Sequence, residues 1–381
     1  MIAEAAAPRV TRLILQDFRS YAALDLRVGR GLVALVGENG AGKTNLIEAL
    51  SLFSAGRGLR RADLGEMARR GADRFAVSVT LDGPEGEHRL GVGLEPGEGG
   101  RAVRRCRIDG ADASSAASFS EYVRLVWLTP DLDGLFRGPA GDRRRFLDRL
   151  VLAIDSRHGA RVNALERALR SRNRLLEDPH GNRAWLDAVE RELAELAVAV
   201  ASARRETAER LDAQLLATRD DASPFPFARL TLVGELDELV ASLPAVDAED
   251  RYRQMLSDNR PRDAAAGRTL LGPQATDLAV RHGPKDLPAE ICSTGEQKAL
   301  LLGLVLGHAR LVRAMSGIAP LMLLDEVAAH LDPRRRDALY DALEALGGQV
   351  WMTGADPALF AGLGTRADLF QVSPGEVVPA A

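Results

Sequence analysis

The sequence predicts a mixed α/β fold into which a helical lobe is inserted. Near both ends of the chain, short apolar segments alternate with helical patterns, an order typical of a sheet covered by helices. Between about residues 141 and 217 the pattern changes to long helices rich in Ala, Leu, Arg and Glu. We therefore predict a head formed by residues 1–140 and 265–381 and a helical lobe formed by residues 141–264.

The N-terminal part of the head is predicted to consist of strands around a glycine-rich turn. Apolar segments bounded by Gly, Pro and Asp indicate strands, and residues 45–50, after the turn, have helical spacing. We expect the strands between residues 75 and 108 to form an antiparallel meander beside the first ones. The predicted strands are 9–18, 24–28, 32–36, 75–81, 88–94, 102–108 and 123–128.

Turn residues at 178–181 divide the lobe into two predicted helices. Apolar residues of the second helix alternate spacings of three and four, which indicates a seam for an antiparallel helical partner. The seam covers only about three heptads, so it predicts a lobe and not a long arm. Its residues are Leu186, Val189, Leu193, Leu196, Val200 and Ala203. Residues 223–263 are predicted to be a mixed connector.

The C-terminal part of the head returns to alternating strands and helices, which predicts a parallel sheet. Its first strands are expected to come from the N-terminal region, so that the sheet is completed across the helical insertion. The predicted strands are 277–281, 321–325 and 349–353, and the predicted helices are 295–315 and 333–346.

The composition is that of an ordinary globular protein, with 381 residues, 46% hydrophobic and 27% charged. No apolar run approaches the roughly 20 residues of a bilayer helix, and the segment up to Val10 lacks the features of a secretion signal. We therefore expect a cytoplasmic protein without a membrane partner. Cys106 and Cys292 lie far apart and predict neither a disulfide nor a zinc site.

The glycine-rich turn after strand 32–36 is the clearest motif. Gly37-Glu38-Asn39-Gly40-Ala41-Gly42-Lys43-Thr44 fits the phosphate-loop pattern G-x-x-x-x-G-K-[ST] between a strand and a helix. In such a loop, backbone N–H groups surround phosphate oxygens, Lys43 reaches the β- and γ-phosphates and Thr44 binds Mg²⁺. We predict that these residues and Asn45 bind a nucleotide; the alternative is a glycine-rich turn without a ligand.

An acidic pair follows the four apolar residues 321–324. If this strand ends at the same phosphates, Asp325 holds Mg²⁺ and Glu326 orients and deprotonates the attacking water. Glu326 and Lys43 are then the predicted catalytic residues. The alternative is that the pair merely ends a core strand.

The segment Ser293-Thr294-Gly295-Glu296-Gln297-Lys298 precedes an apolar helix. Ser293 and Glu296 form a capping box, which is a sufficient structural explanation by itself. The segment also presents backbone N–H groups to an anion, and it resembles the signature sequence of the ABC ATPase superfamily. There, the signature of one subunit contacts the γ-phosphate bound by another. The resemblance implies this trans role for Ser293, Thr294, Gly295 and Glu296.

The segment after the acidic pair, Ala328-Ala329-His330-Leu331-Asp332, resembles the D-loop of the same superfamily. About 250 residues separate the phosphate loop from the signature, more than a compact transporter cassette allows and far fewer than in SMC proteins. The chain resembles the RecF family of bacterial recombination mediators, with local matches at 128–130, 143–148 and 172–176. The implied fold is an ABC-type P-loop ATPase head with a mixed sheet and an inserted helical lobe, with His330 and Asp332 in the D-loop.

The resemblance also implies a function. ATP bound with Mg²⁺ would close a homodimer over double-stranded DNA at gaps or at junctions of single- and double-stranded DNA, and slow, DNA-stimulated hydrolysis would reopen it. The implied role is recombinational repair with RecR and RecO as partners, promoting the loading of RecA on single-stranded DNA coated with single-strand binding protein.

One segment departs from the family pattern. RecF-like proteins usually carry Gly-Pro-His-Arg and an acidic pair before the late strand, whereas this chain has Gly272-Pro273-Gln274-Ala275-Thr276-Asp277. Gln274 keeps hydrogen bonding but cannot carry charge, and Ala275 keeps neither. We therefore expect altered coupling or hydrolysis.

Residues 137–174 form a basic segment, with eleven Arg against Asp142, Asp148, Asp155 and Glu166, although the whole chain has a net charge of −4. We predict that an arginine cluster here and another after the first helix contact the duplex backbone without reading its sequence. The alternative is a solvated helical face with pairs such as Glu166 and Arg170. The predicted DNA contacts are Arg57, Arg60, Arg61, Arg143, Arg144 and Arg145.

Three other functions were weighed. An ATPase subunit of a transporter is disfavoured because no Q-loop glutamine occurs near residues 127–131 and Thr353-Gly354 stands where a switch histidine is expected. Another SMC-like ATPase of DNA maintenance shares most of the motifs. A metabolic P-loop kinase would need an acceptor pocket and would lack the signature.

Overall fold

The computed structural model describes residues 7–97, 102–178, 183–220 and 222–380. Within these residues the strands are β1 Arg9–Phe18, β2 Tyr21–Arg27, β3 Leu32–Val36, β4 Phe75–Gly83, β5 Gly86–Pro96, β6 Ala102–Ile108, β7 Ala111–Ala113, β8 Leu125–Leu128, β9 Ala228–Val233, β10 Asp277–His282, β11 Leu287–Pro288, β12 Leu321–Leu324, β13 Val350–Gly354, β14 Ala367–Ser373 and β15 Glu376–Pro379. The α-helices are α1 Lys43–Ser51, α2 Leu64–Met67, α3 Ala140–Ile154, α4 His158–Leu176, α5 Arg183–Ala217, α6 Glu235–Ser242, α7 Ala245–Asp258, α8 Arg260–Ala266, α9 Thr294–Ser316 and α10 Pro333–Ala345.

The described residues form two compact units. The first draws on residues 1–133, 220–225 and 301–381, and the second on residues 134–219 and 226–300. Residues 265–300, which the sequence analysis assigned to the head, thus belong to the second unit. The reason is that β10 pairs antiparallel with β9, so these residues follow the strand contributed by the connector.

The first unit contains the predicted parallel sheet, in the order β15-β14-β3-β13-β12-β8. All strands from β14 to β8 are parallel, and β3 and β8 come from the N-terminal region, as predicted. All five residues of β3 are buried, which is usual for a parallel strand covered on both faces. Trp127 and Trp351, expected in the core, are buried.

The predicted meander is the second sheet of this unit, in the order β2-β1-β4-β5-β6-β7. Neighbouring strands pair antiparallel throughout. Inward residues such as Leu13, Leu15 and Val77 alternate with more exposed ones and belong to the same apolar core as β3. The mixed α/β fold class is therefore confirmed.

The second unit is built around α4 and α5, which pack along one another. The seam residues Leu193 and Val200 are fully buried, in a core shared with α7. Before residue 178 the sequence predicted one helix, but the chain forms α3 and α4, because Asp155 takes an extended conformation between them. The strand at 277–281 was predicted in the parallel sheet; it lies instead in the antiparallel order β11-β10-β9.

Helix α9 is the one helix in the described part of the chain with the length and apolar composition to cross a membrane. Of its most apolar window, 72% is buried inside the structure, as in the core helix of a globular protein. Its composition is therefore explained by packing within the chain.

Candidate nucleotide-binding site

The phosphate loop joins β3 to α1 and depends on glycine at its two ends. A Cβ at Gly37 would lie 2.2 Å from the carbonyl oxygen of Val372. Gly42 has φ 112°, and a Cβ there would lie 2.7 Å from the Tyr21 hydroxyl. Both positions therefore exclude a side chain. Between them, Glu38, Asn39 and Gly40 are exposed, so the loop is open to a ligand on one side.

Lys43 extends back over this loop. Its Nζ donates to the carbonyl oxygens of Gly37 at 2.7 Å and Glu38 at 3.0 Å, and lies 3.3 Å from Oε1 of Glu326. The side chain is only 4% exposed. The ammonium is thus held inside the loop, where phosphate oxygens would replace backbone carbonyls as its partners.

Thr44 and Asp325, the predicted magnesium ligands, are in direct contact although 281 residues separate them. The Thr44 hydroxyl lies 3.0 and 3.1 Å from the two carboxylate oxygens of Asp325. Burial raises the pKa of Asp325 above its ordinary value. A hydroxyl and a carboxylate are ligands that Mg²⁺ accepts, with phosphate oxygens and water completing its six positions. These two residues therefore fit the ion.

Glu326 begins the turn after β12 in the left-handed region, with φ 53°. This conformation is costly for a residue with a side chain and commonly occurs at functional sites. Its N–H donates to Oγ1 of Thr353 at 2.9 Å, and its carboxylate, a quarter exposed, faces Lys43. The backbone strain thus aims a partly solvated carboxylate at the phosphate loop.

The sequence analysis missed Thr353. Its hydroxyl donates to Oδ1 of Asp325 at 2.7 Å and accepts the N–H of Glu326. It therefore fixes both acidic residues. The available signal was a polar residue at the carboxyl end of β13, which pairs in parallel with β12.

A buried cluster anchors α1. Glu48 is fully buried and accepts two hydrogen bonds from Arg19, at 2.7 and 2.9 Å. Arg60, a predicted DNA contact, donates to Glu48 at 2.8 Å and to the side chain of Asn45 at 2.9 Å. Arg60 therefore stabilises the helix of the phosphate loop. Arg19 and Glu48 were not identified from the sequence.

The other predicted arginines are placed differently. Arg57 is 73% exposed and lies 3.9 Å from Asp63. Arg61 is also exposed and has φ 54°. In the second unit, Arg145 is 58% exposed and pairs with Asp142 on its own helix. These three side chains are accessible to a phosphate backbone.

Arg143 and Arg144 hold the segment that departs from the family pattern. Arg143 bonds both carboxylate oxygens of Asp277, at 2.7 and 2.8 Å, and Arg144 donates to the carbonyl oxygen of Thr276 at 2.8 Å. The bond from Arg143 lowers the pKa of Asp277. Gln274 donates to the carbonyl oxygen of Thr269 at 3.2 Å and to that of Leu271. Gln274 thus uses its amide to brace the turn.

Arg172 was counted in the basic segment, but it is fully buried. Its guanidinium bonds Glu190 at 2.9 Å, Asp263 at 2.7 Å and the Thr269 hydroxyl at 2.8 Å. It therefore contributes nothing to a surface charge and instead links α4, α5 and α8. Replacement of a buried charge that has two carboxylate partners leaves those carboxylates uncompensated.

We expect Arg172→Met to destabilise the protein by about 3–5 kcal/mol, because Glu190 and Asp263 lose their counterion in the interior. Urea unfolding followed by circular dichroism measures this. Arg170→Met is the matched control, because Arg170 is 65% exposed and its pair with Glu166 is long, at 3.8 Å. It is expected to cost no more than about 1 kcal/mol. Equal effects of the two variants would contradict the structural role of Arg172.

The signature segment lies in the second unit and forms the predicted capping box. The N–H of Ser293 donates to Oε2 of Glu296 at 2.9 Å, and the N–H of Glu296 lies 3.4 Å from Oγ of Ser293. The hydrogen bond from Lys285, with those of Ser293, lowers the pKa of Glu296 to about 2. A Cβ at Gly295 would meet open space. The start of α9 at Thr294 is therefore capped and accessible.

The D-loop-like segment follows Glu326 as a short 3-10 turn, Val327–His330. The side chain of His330 lies outside the part of the structure that is described. The Asp332 carboxylate accepts the N–H of Arg335 at 2.9 Å and caps α10. Asp332 thus has a structural role at the helix start, and its predicted nucleotide role stays a prediction.

Comparison with known proteins places the chain in a family. The model of the RecF/RecN/SMC N terminal domain matches residues 9–374. A protein of Mesorhizobium japonicum named DNA replication and repair protein RecF is 53% identical over 375 residues, 98% of each chain. The protein of the same name from Rhizobium meliloti is 53% identical over 97% of this chain and 98% of its own.

Solved structures agree on the fold. A structure described as the recombination mediator protein RecF-ATPrS in the RecFOR pathway has a TM-score of 0.85 at 20% identity, covering 99% of this chain and 100% of that chain. An Smc head domain of Pyrococcus furiosus with an extended coiled coil has a TM-score of 0.53 at 18% identity, covering 98% and 96%. The ABC-type ATPase head is thus confirmed as the fold, and the chain belongs to the RecF family.

Proposed function

We propose that this chain is an ATP-dependent DNA-binding protein of recombinational repair. The observation that carries the proposal is the contact of Thr44 with Asp325 and of Lys43 with Glu326. These contacts join the phosphate loop to the acidic end of β12, as ATP hydrolysis requires. The name shared by the curated relatives, DNA replication and repair protein RecF, supports the biological role.

The proposed chemistry uses the side chains of the site directly. Gly37 to Asn45 bind the phosphates of ATP, Lys43 balances their charge, and Thr44 and Asp325 hold Mg²⁺, which neutralises charge on the transferred phosphoryl group. Glu326 orients water and takes its proton. The left-handed backbone of Glu326 and its bond to Thr353 support this role, because they fix the direction of the carboxylate.

The nucleotide acts as a switch in this proposal. The signature residues Ser293, Thr294, Gly295 and Glu296 of a second copy contact ATP bound by the first, with His330 and Asp332 nearby in the D-loop, and the homodimer closes over double-stranded DNA. The accessible N-terminus of α9 supports this, since its N–H groups favour an anion. Slow, DNA-stimulated hydrolysis then releases the DNA and returns the protein to the monomer.

The proposed sites of action are gaps and junctions of single- and double-stranded DNA in the cytoplasm. RecR and RecO are the proposed partners in loading RecA onto single-stranded DNA, in line with the RecFOR pathway named for the solved relative. We propose Arg57, Arg61 and Arg145 as direct phosphate contacts. Arg60, Arg143 and Arg144 support the surrounding structure through the bonds described above.

The gating of DNA binding by ATP is the central test. Affinity for a labelled duplex is measured by fluorescence anisotropy with ATP, with ADP and without nucleotide, each at two salt concentrations. We expect ATP alone to tighten binding, because only the γ-phosphate can join two copies. Added salt should weaken it, because phosphate contacts release counterions. Affinity that is independent of the nucleotide would contradict the proposed switch.

The proposed DNA contacts have their own test. Arg57→Gln is expected to reduce the slope of log affinity against log salt by about 0.9, the value for one phosphate contact. Arg74→Gln is the matched control, because Arg74 is likewise 73% exposed but lies outside the predicted clusters. Identical slopes for both variants and the unmodified protein would remove Arg57 from the interface.

A further inference from the structure

An exposed apolar residue precedes the signature segment. Ile291 is 64% exposed and stands two positions before Ser293. Burial of an isoleucine side chain is worth about 1.5–3 kcal/mol, so the fold forgoes most of this stabilisation at Ile291. Leu287, four residues earlier, is also 43% exposed. Single exposed apolar residues are common, so exposure alone does not identify a contact.

The second observation is that the backbone around Ile291 is held on both sides. Arg137 donates to the carbonyl oxygens of Glu290 at 3.1 Å and Cys292 at 2.8 Å. Gln297, only 3% exposed, donates to those of Ala289 at 2.7 Å and Glu290 at 3.1 Å. The peptide groups that flank Ile291 therefore cannot rotate without loss of several hydrogen bonds.

This arrangement has an energetic consequence. An exposed side chain on a mobile loop loses conformational freedom when it binds, whereas one whose backbone is already fixed loses less. Apolar anchors of this kind, near polar groups, carry most of the energy of many interfaces. The bonds from Arg137 and Gln297 thus make Ile291 suited to a contact, although they add nothing to its burial in the monomer.

We propose that Ile291 is an apolar anchor of the ATP-dependent homodimer and is buried by a second copy of this chain when the signature meets the nucleotide. The proposal rests on the proposed function. A second copy is the occupant because the rigid backbone that holds Ile291 runs directly into Ser293, whose position in the dimer interface follows from its contact with ATP in trans. In a symmetric dimer the contact occurs twice.

The test measures the dimer dissociation constant by sedimentation equilibrium with saturating ATP. Ile291→Ser is expected to weaken dimerisation about 10- to 100-fold, because apolar burial is lost once per copy. Ile291→Val should stay within a few-fold of the unmodified protein, since it removes one methylene. The matched control is Val246→Ser, because Val246 is 69% exposed in the same unit but far along the chain from the signature.

Two further readouts separate the possible outcomes. ATP affinity of the monomer and the melting temperature should be the same for Ile291→Ser and the unmodified protein, because the side chain is exposed and lies outside the phosphate loop. If the unmodified protein dimerises with ATP and Ile291→Ser dimerises equally, only this inference is overturned. If the unmodified protein stays monomeric with ATP, the proposed function and the inference both fail.

Discussion

Replacement of Glu326 by Gln is expected to lower ATP turnover by about 100-fold or more, which is the usual loss when a general base is removed. Glutamine has nearly the same shape and can still approach Lys43, but it cannot accept a proton from water. ATP should therefore bind without being hydrolysed, and the dimer should persist. Phosphate release at saturating ATP and sedimentation in the same buffer measure the two effects.

The control for this variant is Glu376→Gln, an exposed carboxylate at the start of β15 in the same unit. It should leave turnover and sedimentation unchanged. Turnover that survives in Glu326→Gln would show that another group activates water. Lost turnover without a longer-lived dimer would instead separate hydrolysis from the proposed clamp.

The phosphate-binding elements could be predicted from the sequence because their signals are local. The eight residues Gly37 to Thr44 stand between a five-residue buried strand and a helix, and the loop forms from that order alone. Asp325 could be placed opposite Thr44 because parallel strands end at the same edge of a sheet. Thr353 could not, because its role depends on β13 lying between β3 and β12.

The arginines show the opposite limit. Composition counts the charges of residues 137–174 but does not contain their partners, which come from distant parts of the chain. Asp277 is 134 positions from Arg143, and Asp263 is 91 positions from Arg172. A charged side chain enters the interior only where such partners meet it. The sequence therefore predicted a basic surface where part of the charge is internal.

The strand at 277–281 illustrates the same limit for the fold. Its pattern correctly indicated a strand, but periodicity carries no information about its neighbour. Pairing with β9, a strand of the connector, placed it in an antiparallel sheet of the second unit. The predicted head and lobe were consequently divided near the wrong neighbour of the signature segment.

Replacement of Lys43 by Met should have the largest effect on nucleotide binding. The ammonium would bond the terminal phosphates, and a hydrogen bond to a charged group contributes about 1.5–3 kcal/mol, so ATP affinity should fall at least about 10-fold. Methionine fills similar space but donates nothing. Without bound ATP the signature of a second copy has no ligand, so ATP-dependent dimerisation should be lost. Titration with a fluorescent ATP analogue and sedimentation measure both.

Lys43→Met and Glu326→Gln are expected to differ in one decisive respect. Both should abolish turnover, but only Glu326→Gln should still bind ATP and dimerise. Because Lys43 also bonds the carbonyl oxygens of Gly37 and Glu38, a melting curve without nucleotide must accompany the titration. A folded Lys43→Met protein that binds ATP and dimerises normally would show that the loop recognises phosphate through its backbone alone. That result would remove Lys43 from the proposed site while leaving the contact of Thr44 with Asp325 in place.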